Sequence, residues 1–171
     1  MHLLARILSL VLSLTFAGAV QAASALEWDG CTGKDLDRRI ADCTKIIQDR
    51  NERAADRSKA YSNRGIAYHA KGDQKHAIAD YTTAIRLNPK FAPAHNNRGT
   101  AYRALGDQGR AIADYTKAIR IDPRYAAAYY NRGLARRDKG QRDRAIADFR
   151  RAAELGEEDA RDELRKLGVR P

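Results

Sequence analysis

The chain has 171 residues, a hydrophobic share of 43%, and 32 Lys and Arg against 22 Asp and Glu, for a formal net charge of +10. That length and composition suit one folded domain, a compact globule or a short solenoid, provided the apolar positions are patterned. Basic residues are interleaved with acidic ones, so an arginine-rich binding arm is excluded; the surplus only strengthens non-specific attraction to anionic surfaces.

Residues 1–25 read as a secretory signal peptide. His2 and Arg6 precede an apolar run from Ile7 to Val20, and small residues continue to Ala25, the succession such leaders use. The run is shorter than the ~20 residues that span a bilayer, and no later segment is long and apolar enough to be a second span. Cleavage is placed after Ala22 or Ala25, where a few polar residues separate the apolar run from the cut. The mature protein is then expected in the periplasm of a bacterium or secreted, with no transmembrane segment.

Residues 26–57 are expected to form an amino-terminal segment with one capping helix. Asp42-Cys43-Thr44-Lys45-Ile46-Ile47 is similar to Asp114-Tyr115-Thr116-Lys117-Ala118-Ile119, so Leu36 to Gln48 is predicted helical, with Asn51 to Arg57 a linker or helix extension. In an exported chain Cys31 and Cys43 are expected to be bridged rather than nucleophilic. A bridge needs Cα atoms about 5.5–6 Å apart, while a helix rises about 1.5 Å per residue. A helix starting at Thr32 puts Cys43 out of reach. One starting at Lys34 or Asp35 lets Thr32-Gly33 reverse the chain, and presses Trp28 toward the helix's apolar face.

From residue 58 a period of 34 organises the chain. Asn63-Arg64-Gly65 returns as Asn97-Arg98-Gly99 and Asn131-Arg132-Gly133, and Ala77-Ile78-Ala79-Asp80-Tyr81 returns as 111–115 and, with Phe149, as 145–149. Such self-similarity marks a repeat architecture. The units are 58–91, 92–125 and 126–159. In the first, Ser58 to Lys71 and Gln74 to Leu87 each carry apolar residues at helical spacing. Gly72 is suited to end the first helix in a left-handed conformation and Asp73 to cap the second; Asn88-Pro89 stops it. Gly65, Gly99 and Gly133 oppose small alanines, and a mid-helix Gly costs about 1 kcal/mol relative to Ala, so the helices are expected to approach closely there. Arg64, Arg98 and Arg132 recur with Asp80, Asp114 and Asp148, and the shared period favours pairing within each hairpin or with a neighbouring one over a ladder of anion contacts.

These residues resemble the tetratricopeptide repeat. The family's aromatic fourth position falls on Tyr61, His95 and Tyr129, its glycine on Gly65, Gly99 and Gly133, and its eleventh-position tyrosine on Tyr68 and Tyr102, with Arg136 departing. The remaining signature positions fall on Ala77, Ala111 and Ala145; on Tyr81, Tyr115 and Phe149; on Ala84, Ala118 and Ala152; and on Pro89 and Pro123, with Glu157 in the third place. The resemblance implies an all-α fold, a short right-handed superhelical solenoid of antiparallel helix hairpins. Residues 160–171 are expected to supply a carboxy-terminal capping helix, roughly Asp159 to Leu167, and with both ends capped a monomer is expected.

Catalytic chemistry is not indicated. The four histidines, His2, His69, His76 and His95, make no paired-ligand spacing, and the glycines follow the repeat period rather than a phosphate loop, so neither metal nor cofactor is expected. The resemblance instead implies a concave groove lined by the first helix of each unit. It places there Lys59, Ser62 and His69, then Asn96, Asn97, Thr100 and Arg103, then Tyr130, Leu134 and Arg137, with Ile66, Ala70, Pro93, Ala104, Ala127 and Asp138 between them. This mixed lining suits a protein or extended peptide partner. One subfamily grips acidic carboxy-terminal tails through a clamp of Lys, Arg and Asn; the matching positions here are Ser62, Ile66, Asn97, Ala127 and Asn131, and only Asn97 keeps a clamp residue. The function expected is a non-catalytic protein- or peptide-binding scaffold of the cell envelope. The alternative is salt-dependent, sequence-indifferent binding of nucleic acid or an anionic envelope polymer through the basic surface.

Overall fold

The computed structural model describes residues 25–170. The proposed leader therefore lies outside the described residues, apart from Ala25. Among the described residues there are nine helices: α1 (25–32), α2 (Leu36–Gln48), α3 (Ala54–Ala70), α4 (Gln74–Leu87), α5 (Ala92–Ala104), α6 (Gln108–Ile121), α7 (Ala126–Asp138), α8 (Arg142–Glu154) and α9 (Glu158–Lys166). From α2 onward each helix packs on its neighbours in the chain, and α3, α5 and α7 also touch in series. The result is a row of antiparallel hairpins, α3–α4, α5–α6 and α7–α8, flanked by α1–α2 and by α9. No helix among the described residues is long and apolar enough to cross a membrane.

Local chemistry sets the helix ends. Gly72, Gly106 and Gly140 have φ of 81°, 78° and 74°, the left-handed conformation that turns the chain out of a helix without a Cβ clash. Asp73 and Asp107 then accept from the backbone N–H of His76 and Arg110 at the start of the next helix, whereas Gln141 makes no such side-chain cap. Helices α4 and α6 stop at Leu87 and Ile121, before Pro89 and Pro123.

The core is a series of small clusters along the stack rather than one central core, as expected where each unit contacts only its neighbours. Tyr81, Tyr115 and Phe149 are its largest buried side chains. Each lies flat on a glycine of the facing helix. A Cβ built on Gly65 would stand 2.7 Å from Cε1 of Tyr81, and one on Gly133 2.6 Å from Cε1 of Phe149, which explains why a poor helix former recurs mid-helix. Ala77, Ala84, Ala111, Ala118, Ala145 and Ala152 are fully buried where the helices approach.

The arginine series is structural. Arg64, Arg98 and Arg132 each chelate the aspartate of their own hairpin, with N···O distances of 2.7–3.0 Å. The remaining nitrogen of each donates to a threonine of the preceding hairpin: Thr44, Thr82 and Thr116. One guanidinium therefore closes its own helix pair and fixes the register to the pair before it.

This threonine series shows what α1–α2 is. Thr44 stands where Thr82 and Thr116 stand, so Asp42 matches Asp80 and Cys43 matches Tyr81. Cys31 faces Cys43 as Gly65 faces Tyr81, and the two cysteines form a disulfide with Cα atoms 4.7 Å apart. The segment is thus a shortened hairpin of the same design, with the aromatic-on-glycine contact replaced by a covalent bond. It lacks the last turn of its first helix: Cys31 is one residue from the end of α1, whereas Gly65 is five from the end of α3.

Two expectations are corrected. The amino-terminal segment holds two helices, not one. Cys31 lies within α1, and the reversal falls on Gly33–Asp35, with Asp35 capping α2 through the N–H groups of Asp37 and Arg38. Gly33 does not take a left-handed φ; it serves by closeness, since a Cβ there would lie 3.3 Å from the carbonyl oxygens of Asp29 and Gly30. Of the two alternatives for Asn51 to Arg57, the helix extension holds: α3 begins at Ala54, so the segment before residue 58 contributes its first turn. Trp28 does pack on the cluster of Cys31, Cys43, Ile46 and Ala60.

Candidate functional site

The first helices α1, α3, α5 and α7 line one face of the stack. Trp28, Ser62, Asn96 and Tyr130 occupy equivalent places on them, as do Thr32, Ile66, Thr100 and Leu134. Sequence reasoning runs this face from Lys59 to Arg137; the structure extends it by one helix.

Several predicted groove residues are engaged within the protein. Ser62 and Asn96 are buried. Asn96 accepts from Nδ2 of Asn131 at 3.0 Å and donates to Oδ1 of Asn97 at 3.3 Å, so close packing of α5 and α7 turns it into an interhelix tie. Leu134 is buried in one cluster with Ala160 and Leu164 of α9. Tyr130 packs beside it, its ring 6.0 Å from that of Phe149, so it braces the capping end instead of standing free. Arg137 is held by Glu163 and by Asp138. Sequence reasoning places these residues on the face and a capping helix at the carboxy-terminal end, but not the contact of that helix with Leu134, Tyr130 and Arg137.

The central residues remain available. His69 on α3, Thr100, Arg103 and Ala104 on α5, and Asp138 on α7 line a pocket of about 290 Å³. Nδ1 of His69 lies 2.6 Å from Oε1 of Gln74, which fixes the ring. Thr100 donates to the Asn96 carbonyl and accepts from the Tyr115 hydroxyl. Nε of Arg103 donates to Asp138 at 3.0 Å, with both side chains about a quarter exposed. The pocket thus offers a fixed imidazole, a hydroxyl and a cation–anion pair, which suits a polar segment of peptide backbone or side chain.

A second pocket, of about 350 Å³, lies at the amino-terminal end between Trp28 and Thr32 of α1, Asp56, Lys59 and Asn63 of α3, and Phe91 at the start of α5. Asp56 accepts from Lys59 at 3.0 Å and from Arg53 at 2.7 Å. The Lys59 hydrogen bond, against the opposing effect of burial and with the help of Arg53, holds the Asp56 carboxyl below the usual carboxylate range. Of these residues only Lys59 was predicted. The signal for Trp28 and Thr32 is the Cys31–Gly65 equivalence, which a 12-residue spacing hides. Among the described residues no group of three His, Cys, Asp or Glu side chains converges as a metal site.

The family descriptions "TPR repeat" and "Tetratricopeptide repeat" match residues 65–106 with 99–136, and 126–159, respectively. No curated protein matches in sequence. Among solved structures, the chain is similar to the Arabidopsis OM64 TPR domain, at 33% identity over 67% of this chain and 98% of that one, with a TM-score of 0.62. It is also similar to the second TPR domain of human RPAP3 in complex with the HSP70 peptide SGPTIEEVD, at 31% identity over 68% and 97%, with a TM-score of 0.61. MamA shares 29% identity over 83% of this chain and 81% of that one, with a TM-score of 0.68. Stacked hairpins, the aromatic-on-glycine contact and these matches agree, and the chain belongs to the tetratricopeptide repeat family.

Proposed function

We propose that this protein is a non-catalytic scaffold of the bacterial cell envelope that holds an extended protein segment along the face formed by α1, α3, α5 and α7. One observation carries the reading: three successive first helices contribute side chains to a single pocket, through His69, Thr100, Arg103 and Asp138. A linear ligand crossing several helices is the partner such a surface suits. The RPAP3 domain holding an HSP70 peptide supports the mode of binding. It does not extend to the same tail, because only Asn97 matches the acidic-tail clamp. Placement in the periplasm or outside the cell rests on the leader-like residues 1–25 and is supported by the Cys31–Cys43 bridge, since disulfides persist in oxidising compartments.

The test is capture from cell-envelope extract on immobilised protein. Saturable retention of a partner is expected, weakened by Arg103→Ala and unaffected by Arg120→Ala on the second-helix side. Retention of nothing by the wild type under several conditions overturns the reading.

A second reading, binding of an anionic polymer, is favoured by a pocket of about 550 Å³ lined by Arg150, Arg161 and Arg170 with Ala153 and Glu154. It requires affinity that falls steeply with salt and ignores polymer sequence; equal binding at low and physiological salt sinks it.

A further inference from the structure

The pocket between Trp28 and Phe91 has two aromatic walls on either side of one stripe of α3, formed by Asp56, Lys59 and Asn63. Neither wall follows from the repeat pattern. Trp28 belongs to the shortened first hairpin, whose disulfide fixes the helix that carries it. Phe91 has Tyr125 as its counterpart one period later, and the two differ in use. Tyr125 packs on the cluster of Ala92, Ala118, Ile119 and Ala128. Phe91, among the described residues, joins none of the core clusters and lines the pocket.

Charge decides what fits between the rings. An aromatic pair above a carboxylate suits a cation, but here Asp56 is already occupied by Lys59 and Arg53. A cationic side chain entering the pocket meets two ammonium- or guanidinium-bearing neighbours and no free anion. A neutral apolar side chain meets the indole, the phenyl ring and the Thr32 methyl. Asn63 also lines the pocket, its amide nitrogen donating only a long contact, 3.9 Å to the Cys31 sulfur, so its amide remains available to a peptide group.

We propose that this is a side-chain pocket of the binding face, which takes one bulky apolar side chain, aromatic or branched aliphatic, of an extended peptide whose backbone is held by Asn63. The proposal rests on the peptide-binding reading above and names its specificity. The two pockets share α3 and α5: the apolar anchor lies between α1 and α5, and the polar pocket at His69 and Arg103 between α3 and α7, so a ligand crossing the face meets them in succession.

The test uses the natural reporter in the pocket, since Trp28 is the single tryptophan of the chain. Full-length mature protein is titrated with blocked peptides of identical Gly/Ser flanks that differ only in a central Phe, Leu, Ala, Lys or Glu, and Trp emission is followed. The Phe and Leu peptides are expected to shift the emission saturably and to bind roughly 10-fold or more tightly than the Ala peptide, with Lys no better than Ala. Phe91→Ala should remove the preference for Phe and Leu, Phe91→Tyr should keep it, and Asn63→Ala should weaken all peptides alike. Equal titration by the Phe and Ala peptides overturns the proposal, and so does tightest binding by the Lys peptide. The peptide series needs no variant, so a misfolded Phe91→Ala protein leaves the test intact. If Arg103→Ala abolishes envelope capture while the Phe and Ala peptides behave alike, the groove stands and this pocket falls. Apolar selectivity without envelope capture leaves the pocket standing and overturns the envelope scaffold.

Discussion

The guanidinium of Arg98 grips both carboxylate oxygens of Asp114, at 2.8 Å each, from the opposite helix of the same hairpin. Its third nitrogen reaches Thr82 of the hairpin before. Both charges are largely withdrawn from water, at 19% and 10% side-chain exposure, and removing one partner of such a pair leaves the other uncompensated. Arg98→Ala is expected to destabilise by about 2–4 kcal/mol, and the double variant Arg98→Ala/Asp114→Ala by less than the two single losses together. Urea unfolding of the four proteins measures this.

The same pair sets an acid limit. Burial pushes the Asp114 carboxyl up, but the Arg98 hydrogen bonds and the nearby His95 outweigh it and hold the group below the usual carboxylate range. A depressed folded pKa contributes stability above the unfolded value of about 3.9, and this is lost as pH falls through the folded value. Unfolding free energy should therefore drop as pH is lowered below about 4, and Asp114→Asn should make the drop shallower while lowering stability at pH 7. Thermal midpoints across that range check the sign.

The aromatic-on-glycine contact predicts that Gly99→Ala destabilises in spite of the better helix propensity of alanine. The new Cβ would stand 2.8 Å from Cε1 of Tyr115. Overpacking costs about 1–3 kcal/mol and the propensity gain offsets about 1, for a net loss of up to about 2. Tyr115→Leu, which removes the ring, should make the added methyl group much less costly, as a double-mutant cycle will show.

For the first hairpin, reduction of Cys31–Cys43, or Cys31→Ser, should cost about 2–3 kcal/mol and loosen α1 and α2 while most helicity remains. Hydrogen exchange should show faster exchange in residues 36–48 and little change in α5–α8. The bridge in purified protein should appear as a mass lower by two hydrogens, regained on reduction.

The three repeats were legible because each carries its signature at one period: the helix glycine, aromatic ring, arginine, aspartate and the turn glycine all recur together. Helix α2 was legible because Asp42-Cys43-Thr44 keeps that signature. Helix α1 was not, since loss of a turn shortens the Gly65–Tyr81 spacing of 16 to the Cys31–Cys43 spacing of 12 and removes both glycine and aromatic ring. Groove membership was readable from position, but availability was not. Asn96 is spent on Asn131 and Leu134 lies under α9 through packing between units, which the period of one unit does not encode.

The central claim, that this face holds the partner, is tested most directly by site-specific photocrosslinking in the native host. Ala104 borders the His69–Arg103 pocket, and Ala113 is exposed on α6, on the second-helix side. A photoreactive residue at 104 is expected to give a discrete, saturable adduct that Arg103→Ala reduces, with none from 113. Equal labelling from both positions, or a discrete adduct from 113 alone, contradicts the account.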